Sequence, residues 1–392
     1  MNKKTVLFLY TTENTGHHIA ALAIESALQE IAPSINSICL DSFNYAYPTI
    51  GKIISRIYVE LVMKTPEIWE YLYDNPEVLE ATQDIRDFLN KLNSKKIKKI
   101  LSEFEADVII CTQAVPCSVV ANEKREGRLN LPLVAVITDF EVHSYWVYDE
   151  VNHYIVANEE IKLQLIKNGV QEHKINIYGI PVHPKFKLKK DRIKARRRLR
   201  IKPLIPTVLL MGGGRGLGKM EDVLFILGQV PQELQAIIVT GENKKKINIL
   251  KRKAKKLRIS LKVFGYTRNI DLLMDASDLI ITKPGGMTVS ECLVKGLPIL
   301  VFNPLPGQEE RNSQYLLNRN LAKRVDTLEE LARVTYSLIS NKRELNRMSK
   351  RASHASKPDA AKHTAGLISE IISKLDKKQI ERTAECSISG QY

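Results

Sequence analysis

Residues 282–312 read TKPGGMTVSECLVKGLPILVFNPLPGQEERN and directly follow an apolar, β-prone run. That run stops at a turn made of Pro284, Gly285 and Gly286, and the helical pattern MTVSECLVKG comes next. A strand is therefore predicted to enter a helix through a turn with little side-chain bulk, where the backbone can approach a ligand closely. The first N–H groups of this helix, including those of Met287 and Thr288, offer hydrogen bonds and a positive dipole to an anion. A diphosphate fits such a turn.

Polar side chains follow the turn in two places. Glu291 lies about one turn into the helix at roughly 1.5 Å of rise per residue, so its carboxylate is placed to accept two ribose hydroxyls. After the next strand, the loop PGQEERN supplies polar groups suited to binding a hexose: Gln308, Glu309, Glu310 and Asn312. An ordinary strand-to-helix connection, with Glu291 a solvated helix residue, explains these residues equally well.

Length and composition predict two globular domains. The chain has 392 residues, more than a single hydrophobic core usually contains. Of these residues, 44% are hydrophobic and 26% are charged, a composition typical of globular proteins. No run approaches the roughly 18 apolar residues of a membrane span, and the N-terminal apolar run is too short for a signal peptide. The five cysteines lack CxxC pairs and histidine partners at metal spacing, so neither disulfides nor structural zinc are expected. We expect a cytoplasmic protein.

The net charge of +15 permits a polyanionic partner. Lysine and arginine concentrate at residues 91–99, 185–202 and 244–258, although such runs are usually solvated faces or linkers. No helix-turn-helix, zinc-finger or ribonucleoprotein pattern supports nucleic-acid binding. An anionic membrane attracts basic surfaces by about 1 kcal/mol per nearby Lys or Arg, so anionic membrane lipids are the favoured partner.

Apolar β-rich runs alternate with helical patterns along the chain, which predicts two parallel α/β sheets. The predicted divisions are an N-terminal domain at 1–184, a basic linker at 185–206, a second domain at 207–350, a final helix at 351–378 and a disordered tail at 379–392. Pro358 separates two helical patterns near the end of the chain.

The N-terminal segment TVLFLYTTENTGHHIAALAIESALQEI predicts strand, loop and helix, with Ile24, Leu28 and Ile31 on one buried stripe. His17 lies where the loop meets the helix, at the carboxyl end of a strand, the edge at which open α/β sheets bind ligands. A histidine titrates in the range needed to take a proton from an acceptor hydroxyl. A lone histidine at this place is more simply explained as part of a helix cap.

Two further blocks follow predicted strands. VITDFEVHSYW offers Asp139, His143 and Trp146 to an acceptor or to His17, although Asp139 can equally cap a following helix. LLMGGGRGLGKM nearly matches a phosphate-binding GxxxxGK loop, but Met220 replaces the Ser or Thr of that motif, which counts against an ATPase.

The segments described above, taken in their order from the N-terminal TGHHIAALAIESAL to PGQEERN, resemble those of a known family. It comprises the lipid glycosyltransferases related to monogalactosyldiacylglycerol synthase and the processive diacylglycerol glucosyltransferases. The resemblance covers nearly the whole chain, and it is most specific at VFGYTRNIDLLMDASDLIITKPGGMTVSE and PGQEERN. It implies the GT-B fold, in which two Rossmann-like parallel-sheet domains are joined by a final helix that crosses back onto the first.

The resemblance also implies a function. It predicts inverting transfer of a hexose from UDP-glucose or UDP-galactose to diacylglycerol or a glycosyl-diacylglycerol, by a peripheral enzyme at the inner face of the cell membrane. Neither a metal ion nor another cofactor is expected, and neither nucleic acid nor an obligate protein partner is implied. The aromatic segment at residues 43–73 is predicted to approach lipid.

Residue roles follow from the same resemblance. The family's Gly-His motif falls on Gly16 and His17, so His17 becomes the candidate base. Asp139 is the second candidate catalytic residue, and Gly16, His143 and Trp146 are assigned to the acceptor side. Gly213 and Gly214 are expected to shape the interdomain cleft near the donor diphosphate, and backbone groups of Gly265 and Tyr266 are expected to hold the nucleoside base.

The loop Thr11–Gly16 departs from the family because it carries less glycine. The acceptor or its binding mode therefore stays open. One alternative is a UDP-sugar transferase with a non-glycerolipid acceptor, and another is a catalytically inactive, nucleotide-responsive membrane-binding protein. The intact residues His17, Glu291 and Gln308 argue against the inactive alternative.

Overall fold

The computed structural model describes residues 3–46, 100–101, 103–213 and 219–389, and it divides into two units. The first unit comprises the described residues within Met1–Thr138, Val142–Pro184 and Asp359–Tyr392. The second comprises those within Asp139–Glu141 and Lys185–Pro358. The segment Asp139–Glu141 was predicted in the first domain but belongs to the second unit.

The first unit is built on a parallel sheet with the strand order β2-β1-β3-β4-β5-β6. Its strands are β1 (Thr5–Tyr10), β2 (Asn36–Asp41), β3 (Val108–Cys111), β4 (Leu133–Val136), β5 (His153–Ile155) and β6 (Ile175–Asn176). With helices numbered in order among the described residues, this unit holds α1 (Gly16–Ile31), α2 (Ser42–Ala46), α3 (Ala114–Arg125), α4 (Glu159–Lys167) and α13 (Ala360–Ser389). Because the order reverses between β1 and β3, ligands are expected at the carboxyl ends of these strands.

Helices α1 and α13 share the core of the first unit. Ile24 and Leu28 of α1 are fully buried there with Ala365 and Ile368 of α13. Ile31 was predicted on the same stripe, but it ends α1 and is 40% exposed. The chain thus returns to its first unit in a final helix, as the family resemblance implied.

The end of the chain differs from the prediction. The structure continues α13 to Ser389, whereas residues 379–392 were predicted to be disordered. Good helix formers such as Gln379, Glu381 and Ala384 extend a helix that is already nucleated, and extension costs less than nucleation.

The second unit also has a parallel sheet, with the order β12-β11-β10-β7-β8-β9. Its strands are β7 (Thr207–Met211), β8 (Gln235–Val239), β9 (Ser260–Phe264), β10 (Leu279–Thr282), β11 (Ile299–Phe302) and β12 (Ala322–Val325). Its helices are α5 (Arg192–Arg198), α6 (Met220–Leu227), α7 (Lys244–Ala254), α8 (Ile270–Asp275), α9 (Gly286–Lys295), α10 (Gln308–Asn318), α11 (Leu328–Ser340) and α12 (Lys342–Ala355). This is the Rossmann order, which reverses between β7 and β10 and directs ligands to their carboxyl ends.

The basic stretch predicted as a linker is folded into the second unit. Its helix α5 buries Arg196, whose guanidinium binds the carboxylate of Asp278 and donates to the carbonyl oxygen of Ala276. Asp278 also accepts from Arg192 and from the N–H of Thr207. Arg196 and Asp278 are 82 residues apart along the chain, so local composition could not reveal their pairing.

Strand β12 was not predicted. It is short, it lies at the sheet edge, and it buries only Ala322 and Val325 while Lys323 is exposed. A four-residue edge strand with two cations gives little alternating apolar pattern. The predicted helix 351–378 also has different limits, because α12 ends at Ala355 and α13 begins at Ala360, on either side of Pro358.

Candidate active site

His17 lies at the switch point of the first sheet, in the first turn of α1. Its Nδ1 is 2.9 Å from the carbonyl oxygen of Thr112, which follows β3, and 2.9 Å from Oγ1 of Thr138. A carbonyl can only accept, so Nδ1 carries the proton and Nε2 keeps a free lone pair. Burial lowers the pKa of His17 to about 4, although the hydrogen bond to Thr112 opposes this shift. The ring is neutral at pH 7, and His17 as a residue is partly buried.

The structure brings His143 close to His17. Burial lowers the pKa of His143 to about 4, and repulsion from His17 in its protonated form lowers it further. The ring of His143 packs against Tyr145 and Trp146. Trp146 was predicted to contact an acceptor, but it is only 3% exposed and its carbonyl oxygen accepts from Tyr154. It therefore packs the wall behind the histidines, while Gly16 is exposed at the start of α1.

In the loop before His17, two residues other than glycine adopt backbone angles that are typical of glycine. Thr12 and Asn14 have φ angles of 67° and 59°, in the left-handed region that favours glycine and tolerates asparagine. The hydroxyl of Thr15 donates to the carbonyl oxygen of Thr12, and His18 accepts from the N–H of Asn14. The departure in sequence thus leaves a turn of the kind that glycines would form.

The predicted glycine turn lies at the switch point of the second sheet. Gly285 is the N-cap of α9, and a β-carbon added to it would meet no atom within 4 Å. The N–H groups of Gly286, Met287 and Thr288 belong to the first turn of this ten-residue helix, where backbone donors lack helical partners. This turn combines open space with backbone donors, as an anion site requires.

Glu291 lies deeper in α9 and is 8% exposed. Burial raises the pKa of Glu291 to about 8, with the nearby Lys185 opposing the rise and Asp271 adding to it. The carboxyl group is therefore largely protonated at pH 7 in the ligand-free protein. The alternative of a solvated helix residue is wrong, because Glu291 is buried.

The segment PGQEERN forms the start of a helix and not the predicted loop. Helix α10 begins at Gln308, after Gly307 with φ of 84°. Gln308 is exposed, whereas Asn312 is 1% exposed. Only the first of these two predicted hexose-binding residues is presented to solvent.

Asp139 joins this group in the second unit. Its carboxylate accepts from the side-chain amides of both Gln308 and Asn312. Burial raises the pKa of Asp139 to about 6, with the amide of Asn312 opposing the rise. The predicted role of Asp139 toward His17 or an acceptor stays a prediction, while within the first unit His17 is oriented by Thr112 and Thr138.

Lys283 was missed by the sequence analysis, although it lies within residues 282–312 beside the glycine turn. Its Nζ is 3.9 Å from Oε2 of Glu309, and burial lowers its pKa. Glu309 also accepts the N–H of Leu305 at 2.7 Å, so part of its carboxylate is engaged by backbone. A cation adjacent to a predicted phosphate turn is the signal that could have identified Lys283.

The ends of β7 and β10 are neighbours, since Met211 pairs with Thr282. Lys283 and Lys219 line a small cavity that includes these strand ends. Gly213 follows β7 with φ of 73°, and a β-carbon added there would also meet no atom within 4 Å, whereas Gly214 lies outside the described residues. Gly265 and Tyr266 follow β9, the edge strand of the same sheet, and Tyr266 is 43% exposed.

Two family models match the chain. The model described as monogalactosyldiacylglycerol (MGDG) synthase matches residues 17–182, and the glycosyltransferase family 28 C-terminal domain matches residues 207–364. The first match includes His17 and the second includes the glycine turn, Glu291 and Gln308.

A curated relative and two solved structures are similar to nearly the whole chain. The processive diacylglycerol beta-glucosyltransferase of Bacillus cytotoxicus is 29% identical over 370 residues, which is 93% of each chain. The crystal structure of Acinetobacter baumannii MurG has a TM-score of 0.60 at 15% identity, covering 94% of this chain and 99% of that one. Anabaena HepE in complex with UDP-glucose has a TM-score of 0.51 at 15% identity, covering 96% and 99%.

The structural likenesses confirm the GT-B fold, and the relative and the family models identify the kind of enzyme. With both halves matched, the chain belongs to the GT-B lipid glycosyltransferases of the monogalactosyldiacylglycerol synthase and processive diacylglycerol glucosyltransferase family.

Proposed function

We propose that this enzyme transfers glucose from UDP-glucose to diacylglycerol, or to a glucosyl-diacylglycerol, with inversion to a β-glucoside. The name of the Bacillus cytotoxicus relative, similar over 93% of this chain, supports the acceptor and the β product. UDP-glucose carries its sugar in the α configuration, so a β product implies inversion. UDP-galactose and other lipid acceptors are the alternatives to test.

The contact of 2.9 Å between Nδ1 of His17 and the carbonyl oxygen of Thr112 is the observation that carries the proposal. An inverting displacement needs a base that takes the acceptor's proton as its oxygen attacks the sugar. Because Nδ1 donates to the carbonyl oxygen of Thr112, Nε2 is the atom free to do so. A pKa of about 4 keeps this atom unprotonated at neutral pH. We assign the base role to Nε2 of His17.

The leaving diphosphate is assigned to the start of α9. Its first N–H groups would bind the phosphate oxygens as negative charge develops. Lys283 adds a partly desolvated cation beside the same turn, and desolvation strengthens its attraction to an anion. These groups would supply the stabilisation that a metal ion provides in other transferases, so the proposed mechanism uses no metal.

The nucleoside and sugar are assigned to neighbouring side chains. Glu291 would hold the ribose hydroxyls, and Gln308 and Glu309 would bind the hexose. The exposed Gln308 can contact a ligand directly, while Glu309 would do so with the oxygen that does not accept from Leu305.

Action at the inner face of the cell membrane is part of the proposal. Among the helices of the described residues, none has the length and apolar character of a membrane span. The net charge of +15 favours binding to anionic lipids. The aromatic segment predicted to approach lipid lies outside the described residues from residue 47 onward.

The decisive experiment measures UDP release from UDP-glucose and from UDP-galactose with vesicles that contain diacylglycerol. We expect UDP-glucose to be used and His17→Ala to lower kcat by about 100-fold or more, the range for loss of a general base. His18→Ala is the matched control, because His18 stacks on Tyr10 at 4.4 Å and has no assigned catalytic role. Product mass would count the sugars added.

Other outcomes separate the alternatives. Normal turnover by His17→Ala would exclude His17 as the base. UDP release only with other lipids would support a non-glycerolipid acceptor. Binding of UDP-glucose and vesicles without turnover in any acceptor mixture would support the inactive membrane-binding protein.

A further inference from the structure

The carboxylate of Asp139 binds two side-chain amides of one helix. Its Oδ2 accepts from Nε2 of Gln308, and its Oδ1 accepts from Nδ2 of Asn312 at 3.1 Å. Gln308 and Asn312 are four residues apart in α10, so they lie on the same helix face. Asp139 is 9% exposed and Asn312 is 1% exposed. Buried groups of this kind are costly unless fully hydrogen-bonded, which makes the arrangement specific.

The segment Asp139–Glu141 is also fastened to α10 by its other residues. The N–H of Phe140 donates to Oδ1 of Asn312 at 3.0 Å, and the ring of Phe140 stacks on Tyr315 with 4.5 Å between centroids. Glu141 lies 3.3 Å from Arg311. Asp139 is therefore held in place by backbone, ring and ionic contacts, beyond its own hydrogen bonds.

This geometry determines which end of each amide faces outward. An ionised carboxylate only accepts hydrogen bonds, so Gln308 must turn its NH₂ group toward Asp139. Its carbonyl oxygen then becomes the end presented to solvent, where Gln308 is exposed. Asn312 instead uses its NH₂ on Asp139 and its oxygen on Phe140. Asn312 thus supports the arrangement from within and is not presented to a ligand.

We propose that Asp139 is a positioning residue of the donor site, which orients Gln308 so that its carbonyl oxygen accepts a hydrogen bond from a hydroxyl of the donor hexose. This inference rests on the proposed function, since it needs a UDP-hexose at α9 and α10. Asp139 touches neither substrate and transfers no proton. Without its carboxylate, the amide of Gln308 can rotate and present NH₂ or oxygen, and the hexose contact weakens.

The test compares the binding of UDP with that of UDP-glucose by calorimetry, without acceptor. Asp139→Asn keeps the shape but places an amide where two NH₂ groups need an acceptor. We expect it to leave the Kd for UDP within about twofold and to weaken UDP-glucose by roughly tenfold, as for one lost hydrogen bond to a ligand. The ratio of the two constants does not depend on the fraction of folded protein, so a stability loss does not obscure it.

Three further variants complete the test. Gln308→Ala should weaken UDP-glucose selectively, and adding Asp139→Asn to it should produce little further loss. Asp139→Glu retains the charge and both acceptor oxygens. Its ratio of the Kd for UDP-glucose to the Kd for UDP should therefore lie closer to that of the natural chain than the ratio of Asp139→Asn does. Asp326→Asn is the control, because it removes a carboxylate from the same unit that binds Arg324 instead.

The outcomes are distinguishable. If Asp139→Asn binds UDP-glucose as the natural chain does, or weakens UDP and UDP-glucose equally, the positioning role is excluded. Additive losses in the double variant would exclude it as well. If the natural chain binds neither UDP nor UDP-glucose, the proposed function itself fails.

Discussion

Among single residues, Glu291 links the structure to the pH dependence of donor binding. Its pKa of about 8 means that the free protein holds a proton there at pH 7. Ribose hydroxyls that donate to the carboxylate favour its charged form and lower its pKa. Donor binding should therefore release up to one proton between pH 7 and 8, and affinity should rise with pH until about 8. Calorimetry in buffers with different ionisation enthalpies measures this release.

Glu291→Gln is the control for this proton release, because an amide of the same shape does not titrate. Binding to this variant should release no proton from this position. Asp139, with its pKa of about 6, is already mostly ionised above pH 7. It therefore contributes little to proton release between pH 7 and 8. If the natural chain also releases no proton, Glu291 stays protonated in the complex and donates to the ribose.

Thr12 provides a second test at the residue scale. A β-branched residue with φ of 67° is strained, and such conformations cost on the order of 1–3 kcal/mol. Thr12→Gly relieves this strain but adds about 0.5–1 kcal/mol of unfolded-state entropy cost, so we expect a net gain in stability. Thermal unfolding should show a midpoint higher by a few degrees.

Glu13→Gly is the matched variant in the same loop. Glu13 is exposed and its φ is not in the left-handed region, so glycine there adds only the entropy cost and should lower the midpoint. A loss of stability in Thr12→Gly would mean that side-chain contacts of Thr12 outweigh its backbone strain.

At the scale of elements, the turn before α9 separates folding from binding. Gly285 has φ of −67°, which alanine adopts readily, and a β-carbon there would meet no protein atom within 4 Å. Gly285→Ala should therefore leave stability nearly unchanged. The added methyl group would occupy space that the diphosphate needs, so UDP affinity should fall by about tenfold. Thermal unfolding and UDP titration measure the two effects.

Gly366→Ala is the control for the glycine turn. Gly366 lies in α13, where a β-carbon would also meet no atom within 4 Å. Alanine inside a helix should raise stability by about 1 kcal/mol, with UDP affinity unchanged. If Gly285→Ala binds UDP as tightly as the natural chain does, this turn is excluded as the diphosphate site.

The elements also show which parts of the site could be predicted from sequence. The glycine turn and Glu291 lie within ten consecutive residues, so local pattern was sufficient to place them together. The orientation of His17 depends on Thr112 and Thr138, which join it only through the strand order of the first sheet. The pairing of Asp139 with Gln308 spans 169 residues, and no local pattern encodes it.

Charge is the property of the whole molecule that bears on its partner. The net charge is +15, but the basic stretch around α5 is partly neutralised by Asp271 and Asp278. The surface around α7 is different, since it exposes a dense set of cations: Lys244, Lys245, Lys251, Arg252, Lys253, Lys255, Lys256 and Arg258. Among the described residues, long-range attraction to an anionic membrane should therefore come largely from the α7 surface.

Vesicle sedimentation over a salt series tests this expectation. The natural chain should bind vesicles with anionic lipids at low salt and dissociate as salt rises, because screening shortens from about 10 Å at 0.1 M to about 3 Å at 1 M. Reversing Lys251, Arg252 and Lys255 to glutamate should weaken this binding strongly. The same reversal of Arg343, Arg347 and Lys350, which are exposed on α12, changes the net charge equally and should weaken it less. Equal losses would show that net charge alone matters, and tighter binding to DNA than to vesicles would favour a nucleic-acid partner.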